Sequence, residues 1–330
     1  MSSCEQDLSD DGLQKICMQN QHVRLSILPD AGGKICELVD QRSGRNWLWS
    51  NPHIPFRSAV YDADYGRDLD SGGWDEILLS ISPVELRFQD GPVRRIPDHG
   101  DVVGQQWSVV DASVNAAADA RCEMSVSGRA LQYEFSRTTR LPHDSRRLEI
   151  DYSLTNRESF AWPWYWSLHA LLTGQQDLRI NLPEDQRFLV DHTVNQSDGA
   201  ASDDNTWPDL RLQDGRSFDL SRCFDTETAP GEFASKLFVR SPDSGLVSVA
   251  AVDTNDSLTI RYDPDDLPWL GLWINNRGWS GCNSEPYLNL GLEPTTAAFD
   301  CVSQAIDNDS ITWLQPGQTR TWSISVELHS

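Results

Sequence analysis

The chain has 330 residues, enough for one large β domain or two domains of ordinary size, and 38% of them are hydrophobic. Fifty acidic residues against 27 basic ones leave a formal charge of −23. Such a field repels phosphate backbones and anionic membranes, which argues against nucleic acid or membrane as a partner. Seven cysteines without a CxxC pair make neither a disulfide framework nor a zinc ribbon, and no stretch approaches the ~20 apolar residues of a membrane span. The opening Met1-Ser2-Ser3-Cys4-Glu5-Gln6-Asp7 has no basic n-region and no apolar h-region. The expectation is therefore a cytoplasmic protein with reduced thiols.

Residues 1–20 read as a peripheral arm, with a hint of helix over 8–19 from the spacing of Leu13, Ile16 and Cys17. From residue 21 to 330 the pattern is that of a single domain in which apolar and polar residues alternate. Val23, Leu25 and Ile27 share one face; so do Leu131, Tyr133 and Phe135, then Leu148, Ile150, Tyr152 and Leu154. The last such run is Trp322, Ile324, Val326 and Leu328. Each is the signature of a half-buried strand. Turn dipeptides punctuate them, including Ser43-Gly44, Asp90-Gly91, Ser127-Gly128, Asp214-Gly215, Ser244-Gly245 and Pro316-Gly317. The polar run from Ser197 to Asn205 reads as a long loop within the domain. These features predict an all-β fold, a large antiparallel β-sandwich.

Three residues stand out chemically. His99 lies in Pro97-Asp98-His99-Gly100-Asp101, and His169 in Trp166-Ser167-Leu168-His169-Ala170. Glu293 follows an apolar lead-in and precedes Pro294, whose missing N–H is expected to end the strand there. A carboxylate and two imidazoles are a minimal acid–base kit for moving a proton on and off a sugar. Thirteen tryptophans add flat apolar faces suited to sugar stacking as well as to core filling. The other histidines, 22, 53, 143, 192 and 329, have no supporting context and read as surface or structural.

Together these motifs resemble the aldose 1-epimerase (galactose mutarotase) family and its wider superfamily. The likeness rests on Leu28-Pro29-Asp30-Ala31-Gly32-Gly33-Lys34, on Leu168-His169-Ala170, on Gly291-Leu292-Glu293-Pro294 and on the closing Leu314-Gln315-Pro316-Gly317. Trp273-Ile274-Asn275 is similar to a segment of the hexose-phosphate branch, and Ser71-Gly72-Gly73-Trp74-Asp75-Glu76 to a bacterial branch. The resemblance implies a supersandwich fold and cofactor-free interconversion of sugar anomers. In it Glu293 is the base, His169 the acid and His99 a hydrogen-bond donor to the developing oxyanion. Sugar-binding candidates are Trp74, Trp107, Trp164, Trp166 and Trp273 for stacking, and Asp75, Asn275 and Arg67 for hydroxyls. No metal is expected, because the two histidines are far apart in the chain and form no HxxxH pair. Two rival readings are a carbohydrate-binding or sensing protein without catalysis, and a glycosidase or polysaccharide lyase. A glycosidase needs a second carboxylate, Asp75 or Glu76, facing the bond beside Glu293.

Overall fold

The computed structural model describes residues 2–88, 92–194, 205–212, 215–225, 232–281 and 285–330. Alternation is what builds it. In the strand Arg147–Asn156, Leu148, Ile150, Tyr152 and Leu154 are buried, and the polar residues between them are not. The strand Thr319–His329 repeats this with Trp322, Ile324, Val326 and Leu328. Side chains of alternate parity therefore pack inward and leave the other face to solvent.

Two large antiparallel sheets face each other across that core. The eight-stranded sheet runs in the order Leu178–Asn181, Leu246–Ala251, Asp256–Tyr262, Thr319–His329, Arg147–Asn156, Tyr133–Leu141, Ala120–Ser127 and Ser108–Val114. The ten-stranded sheet runs Ser3–Leu8, Gln14–Gln19, Val23–Leu28, Lys34–Asp40, Trp74–Leu78, Trp166–Thr173, Leu288–Thr295, Trp269–Asn276, Phe233–Arg240 and Phe188–Val194. Its fifth to ninth strands, Trp74–Leu78 to Phe233–Arg240, come from distant parts of the chain, and they carry the site.

Two expectations from the sequence are corrected. The helical spacing before residue 20 is not used: Ser3–Leu8 and Gln14–Gln19 form a hairpin at the edge of the ten-stranded sheet. Ile16 and Met18 are fully buried there, because alternation across a strand also places 16 and 18 on one side. Pro294 does not end its strand either. Leu288–Thr295 pairs without a break to Trp269–Asn276, Leu270 lying opposite Pro294. On its other side the ladder joins Ser167 to Thr295 and Ala170 to Leu292, and no pair links Leu168 and His169 to Glu293 and Pro294. The missing N–H thus opens a gap in one ladder, beside His169. The Ser197–Asn205 loop lies outside the described residues as far as 204, as do the Asp90-Gly91 turn and Asp214. No described helix is long and apolar enough to cross a membrane.

Candidate active site

Strand parity decides which side chains can meet. Asp75 lies opposite His169 in the ladder between Trp74–Leu78 and Trp166–Thr173. Gly271 lies opposite Glu293, and Lys236 opposite Trp273. Asp75, His169, Glu293 and Lys236 therefore share the face turned away from the eight-stranded sheet. Two glycines make room for the glutamate. A Cβ at Gly291 would come within 2.6 Å of Glu293 Oε1, and one at Gly271 within 3.3 Å of Oε2. Gly291→Ala is accordingly expected to push the carboxylate out of place, lowering any catalytic rate more than tenfold while leaving the melting temperature within a few degrees. Parallel rate and melting measurements check this; an unchanged rate would remove the need for a glycine there.

His99 reaches the same face from a loop stitched to the end of Trp74–Leu78. Its N–H donates to Ile81 O at 2.6 Å, and Asp101 N–H donates to Leu78 O at 3.1 Å. His99 has a φ of +57°, in the left-handed region, and Gly100 follows at +80°. At Gly100 a Cβ would strike Leu78 O at 2.3 Å. Asp101 anchors the loop by accepting from Tyr61 and Tyr133, each at 2.6 Å, and from the Arg129 and Ala130 amides. Holding a non-glycine residue in this conformation costs about 1–3 kcal/mol, a strain typical of functional positions. Tyr65, in the helical turn Tyr65–Leu69, lies flat on the His99 ring at 3.4 Å between centroids.

The three sequence candidates converge. The His99 and His169 rings are 5.2 Å apart and nearly perpendicular. His169 Nε2 is 4.0 Å from Glu293 Oε1, too far for a hydrogen bond. Glu293 Oε1 and His169 Nδ1 are buried without hydrogen-bond partners. Glu293 Oε2 instead accepts from Lys236, whose ammonium is also 3.3 Å from Asp300 Oδ1. A second ion pair, Lys34 to Asp75 at 2.5 Å, is joined by the Tyr65 hydroxyl at 3.2 Å. His99 Nδ1 lies 3.0 Å from Asp98. Above these groups opens a cleft of about 270 Å³. His99, His169 and Lys236 line it directly, with Trp273, Trp279 and Tyr287 as its aromatic wall. Glu293, fully buried, forms the layer just beneath.

Burial sets the electrostatics. It pushes the His169 imidazole well below its ordinary 6.5, aided by His99, Lys236 and Lys34, so the ring is neutral at pH 7. It raises the Glu293 carboxyl, with Lys236 pulling the other way. For Lys236, Asp300 and Glu293 outweigh burial, and the ammonium is held above its usual range. Burial also lifts Asp70, at the cleft wall, from 3.8 to about 6, although Tyr287 donates to it at 3.0 Å. A raised folded value means that the neutral form stabilises the fold below about pH 4 and that this contribution is lost as pH rises through about 6. Asp70→Asn should therefore match wild type at pH 4 and exceed it by about 3 kcal/mol at pH 8. Urea midpoints at the two pH values test this; a constant difference between the proteins would show that Asp70 titrates normally.

No protein-family model matches the chain, and none of the curated proteins matches it in sequence. Solved structures do match. A galactose mutarotase-like protein from Clostridium acetobutylicum superposes with a TM-score of 0.70, covering 100% of this chain and 99% of its own at 12% identity. A galactose mutarotase-like protein from Lactobacillus casei gives 0.62, with 96% and 100% covered at 15% identity. The fold is that of the galactose mutarotase-like proteins. A galactose mutarotase related enzyme from Lactobacillus acidophilus, with a TM-score of 0.60 and 14% identity over 96% of this chain and 97% of its own, agrees.

On this galactose mutarotase-like scaffold several candidates fall away from the cleft. Trp74 and Trp166 are buried between the sheets: 74 and 75 have opposite parity, as do 166 and 169, so Trp74 cannot share a face with Asp75, nor Trp166 with His169. Trp107 packs on Gly33 and Phe135, and Trp164 on Trp322 at 5.5 Å. Glu76 also faces inward, held by Arg137, Tyr152 and Trp166. Arg67 is exposed beside Asp68 at 2.7 Å and does not line the cleft. Trp273 does line it. Asn275 stands behind: its side chain bonds both the N–H and the C=O of Trp279 and so fixes that wall.

Lys236, Asp300, Tyr65, Trp279, Tyr287 and His192 enter the cleft without having been singled out from sequence. A usable signal existed for the lysine. The chain holds only three lysines among 27 basic residues, and two of them, Lys34 and Lys236, lie in this site. Among the described residues, the side chains close enough to share an ion are Asp191, His192 and Asp300, not the two histidines and Glu293. Asp300 there is already paired with Lys236.

Proposed function

We propose that this protein is a carbohydrate isomerase, an aldose 1-epimerase that interconverts sugar anomers by acid–base catalysis. The observation that carries the reading is the convergence of His99, His169 and Glu293 at one cleft, with Glu293 Oε1 4.0 Å from His169 Nε2 and neither Oε1 nor His169 Nδ1 hydrogen-bonded. Buried polar atoms without partners call for an explanation, and a catalytic role is one of them. A sugar C1 hydroxyl placed there would give its proton to Glu293 as the ring opens. The ring oxygen must gain a proton at the same time, and the roles reverse on closure.

Neutral His169 suits a hydrogen-bonding role at the reacting oxygens more than that of an imidazolium donor. His99, with Nδ1 fixed by Asp98 at 3.0 Å, is the better-placed carrier for the ring-oxygen proton. Trp273, Trp279 and Tyr287 would hold the apolar face of the pyranose. A glycosidase role is less well supported. Glu76 points into the core, and Asp75 is held at Oδ2 by both Lys34 and Tyr65, with only Oδ1 open. Polarimetry of freshly dissolved α-aldoses with and without protein tests the proposal. A rate above the buffer control is expected for at least one sugar; identical rates across a panel would overturn it and leave a sugar-binding role to be checked by calorimetry.

A further inference from the structure

Lys236 has no obvious structural reason to be a lysine. It sits in the strand Phe233–Arg240 with its side chain 3% exposed, amid a chain that otherwise uses arginine for nearly every positive charge. Its ammonium contacts two carboxylates, Glu293 through Oε2 and Asp300 through Oδ1. A compact ammonium fits between two acids where a planar guanidinium, built for bidentate pairing, would not.

Resting on the acid–base reading above, we propose that Lys236 is the positioning residue of this site. It clamps Oε2 of Glu293, keeps that carboxylate charged, and leaves Oε1 as the atom offered to substrate. The surroundings of Glu293 fit this role. His169 faces it from Trp166–Thr173, His99 from the loop after Ile96, Asp300 from the segment after Thr295, and the Lys34–Asp75 pair lies beyond. Of these, Lys236 alone makes a charged hydrogen bond to the carboxylate. Burial and Asp300 favour the neutral acid, and Lys236 opposes both. The same double pairing keeps the ammonium protonated, so Lys236 is a poor nucleophile toward an open-chain aldehyde and does not act through a Schiff base.

The test is the ionisation of Glu293 itself. The carboxyl band in infrared difference spectra, assigned by its loss in Glu293→Gln, is titrated in wild type, Lys236→Met and Asp300→Asn. Removing the cation should raise the Glu293 midpoint by about 1–3 pH units, and removing the competing acid should lower it. The acid limb of kcat/KM should move upward with the midpoint in Lys236→Met, costing about 10- to 1,000-fold on that limb. A midpoint unmoved in Lys236→Met would overturn the proposal. If Lys236→Met does not fold, Lys236→Gln, which keeps a hydrogen-bond donor but removes the charge, decides by the same upward shift. If wild type shows no epimerase activity on any aldose, the function reading fails, but the titration still decides what Lys236 does.

Discussion

Glu293→Gln should slow anomer interconversion by about 10²–10⁴-fold, the range associated with one well-placed proton transfer. The substitution preserves shape: Gly271 and Gly291, which make room for the side chain, accommodate an amide as readily as a carboxylate. The amide oxygen can keep accepting from Lys236 while its NH2 takes the Oε1 place and donates to the C1 oxygen, so binding should survive better than turnover. What is lost is the ability to take the proton. Lys236 keeps Asp300 at 3.3 Å as a partner, which limits the damage to the fold. Saturation transfer or polarimetry on an α-anomer should therefore give a collapsed kcat with KM altered far less. Equal rates in variant and wild type would remove Glu293 from the mechanism. A loss confined to KM would turn the residue into a binding group.

Arg137→Met should cost about 3–5 kcal/mol, because it leaves a buried charge without its partner. Arg137 reaches from the eight-stranded sheet to Glu76 on the ten-stranded sheet at 3.0 Å, and both side chains are at most 1% exposed. It also donates to Gly33 O at 2.5 Å, just before Lys34 enters the site. Tyr152 and Trp166 donate to Glu76 as well, at 2.9 and 3.1 Å. They are neutral donors and do not replace the charge. Burial already holds the Glu76 carboxyl above its ordinary value despite Arg137. Without the arginine the value rises further, so the stability that remains is present at low pH and is lost as pH climbs through that higher value. Urea unfolding should show the deficit shrinking between pH 7 and pH 5, with Arg137→Met/Glu76→Gln recovering much of it. A deficit below about 1 kcal/mol, independent of pH, would mean that water reaches the pair.

Much of the architecture could be read from alternation alone, since runs such as Leu148 to Leu154 have one period and one buried face. Glu293, His169 and His99 were also legible, each through unusual neighbours. The errors have specific causes. Pro294 was expected to end a strand because its lost N–H is visible in sequence, but which of two ladders it interrupts is not. Trp74 and Trp166 suit a sugar by residue type, although parity sets them against Asp75 and His169. The importance of Lys236, Tyr65 and Tyr287 lies in what they touch, which no local pattern displays. Tyr65 matters because it lies on His99, a contact made by a turn whose local sequence gives no hint of it. His192 has no local context that marks it, and its place at the cleft comes from an edge strand laid beside Phe233–Arg240.

The order of the ten-stranded sheet has a kinetic consequence. Trp74–Leu78, Trp166–Thr173 and Leu288–Thr295 are neighbours in space, yet each is separated from the next by roughly a hundred residues of chain. Loop closure over such spans must be completed before the pairings return any stabilisation, and chains of this kind fold slowly. The shortest contiguous stretch that contains Asp75, His169 and Glu293 runs from 75 to 293, which is 219 residues. Regain of a working cleft after denaturation would thus report the last long-range closures of the sheet, whereas strand content recovers earlier from local hairpins such as Ser3–Gln19.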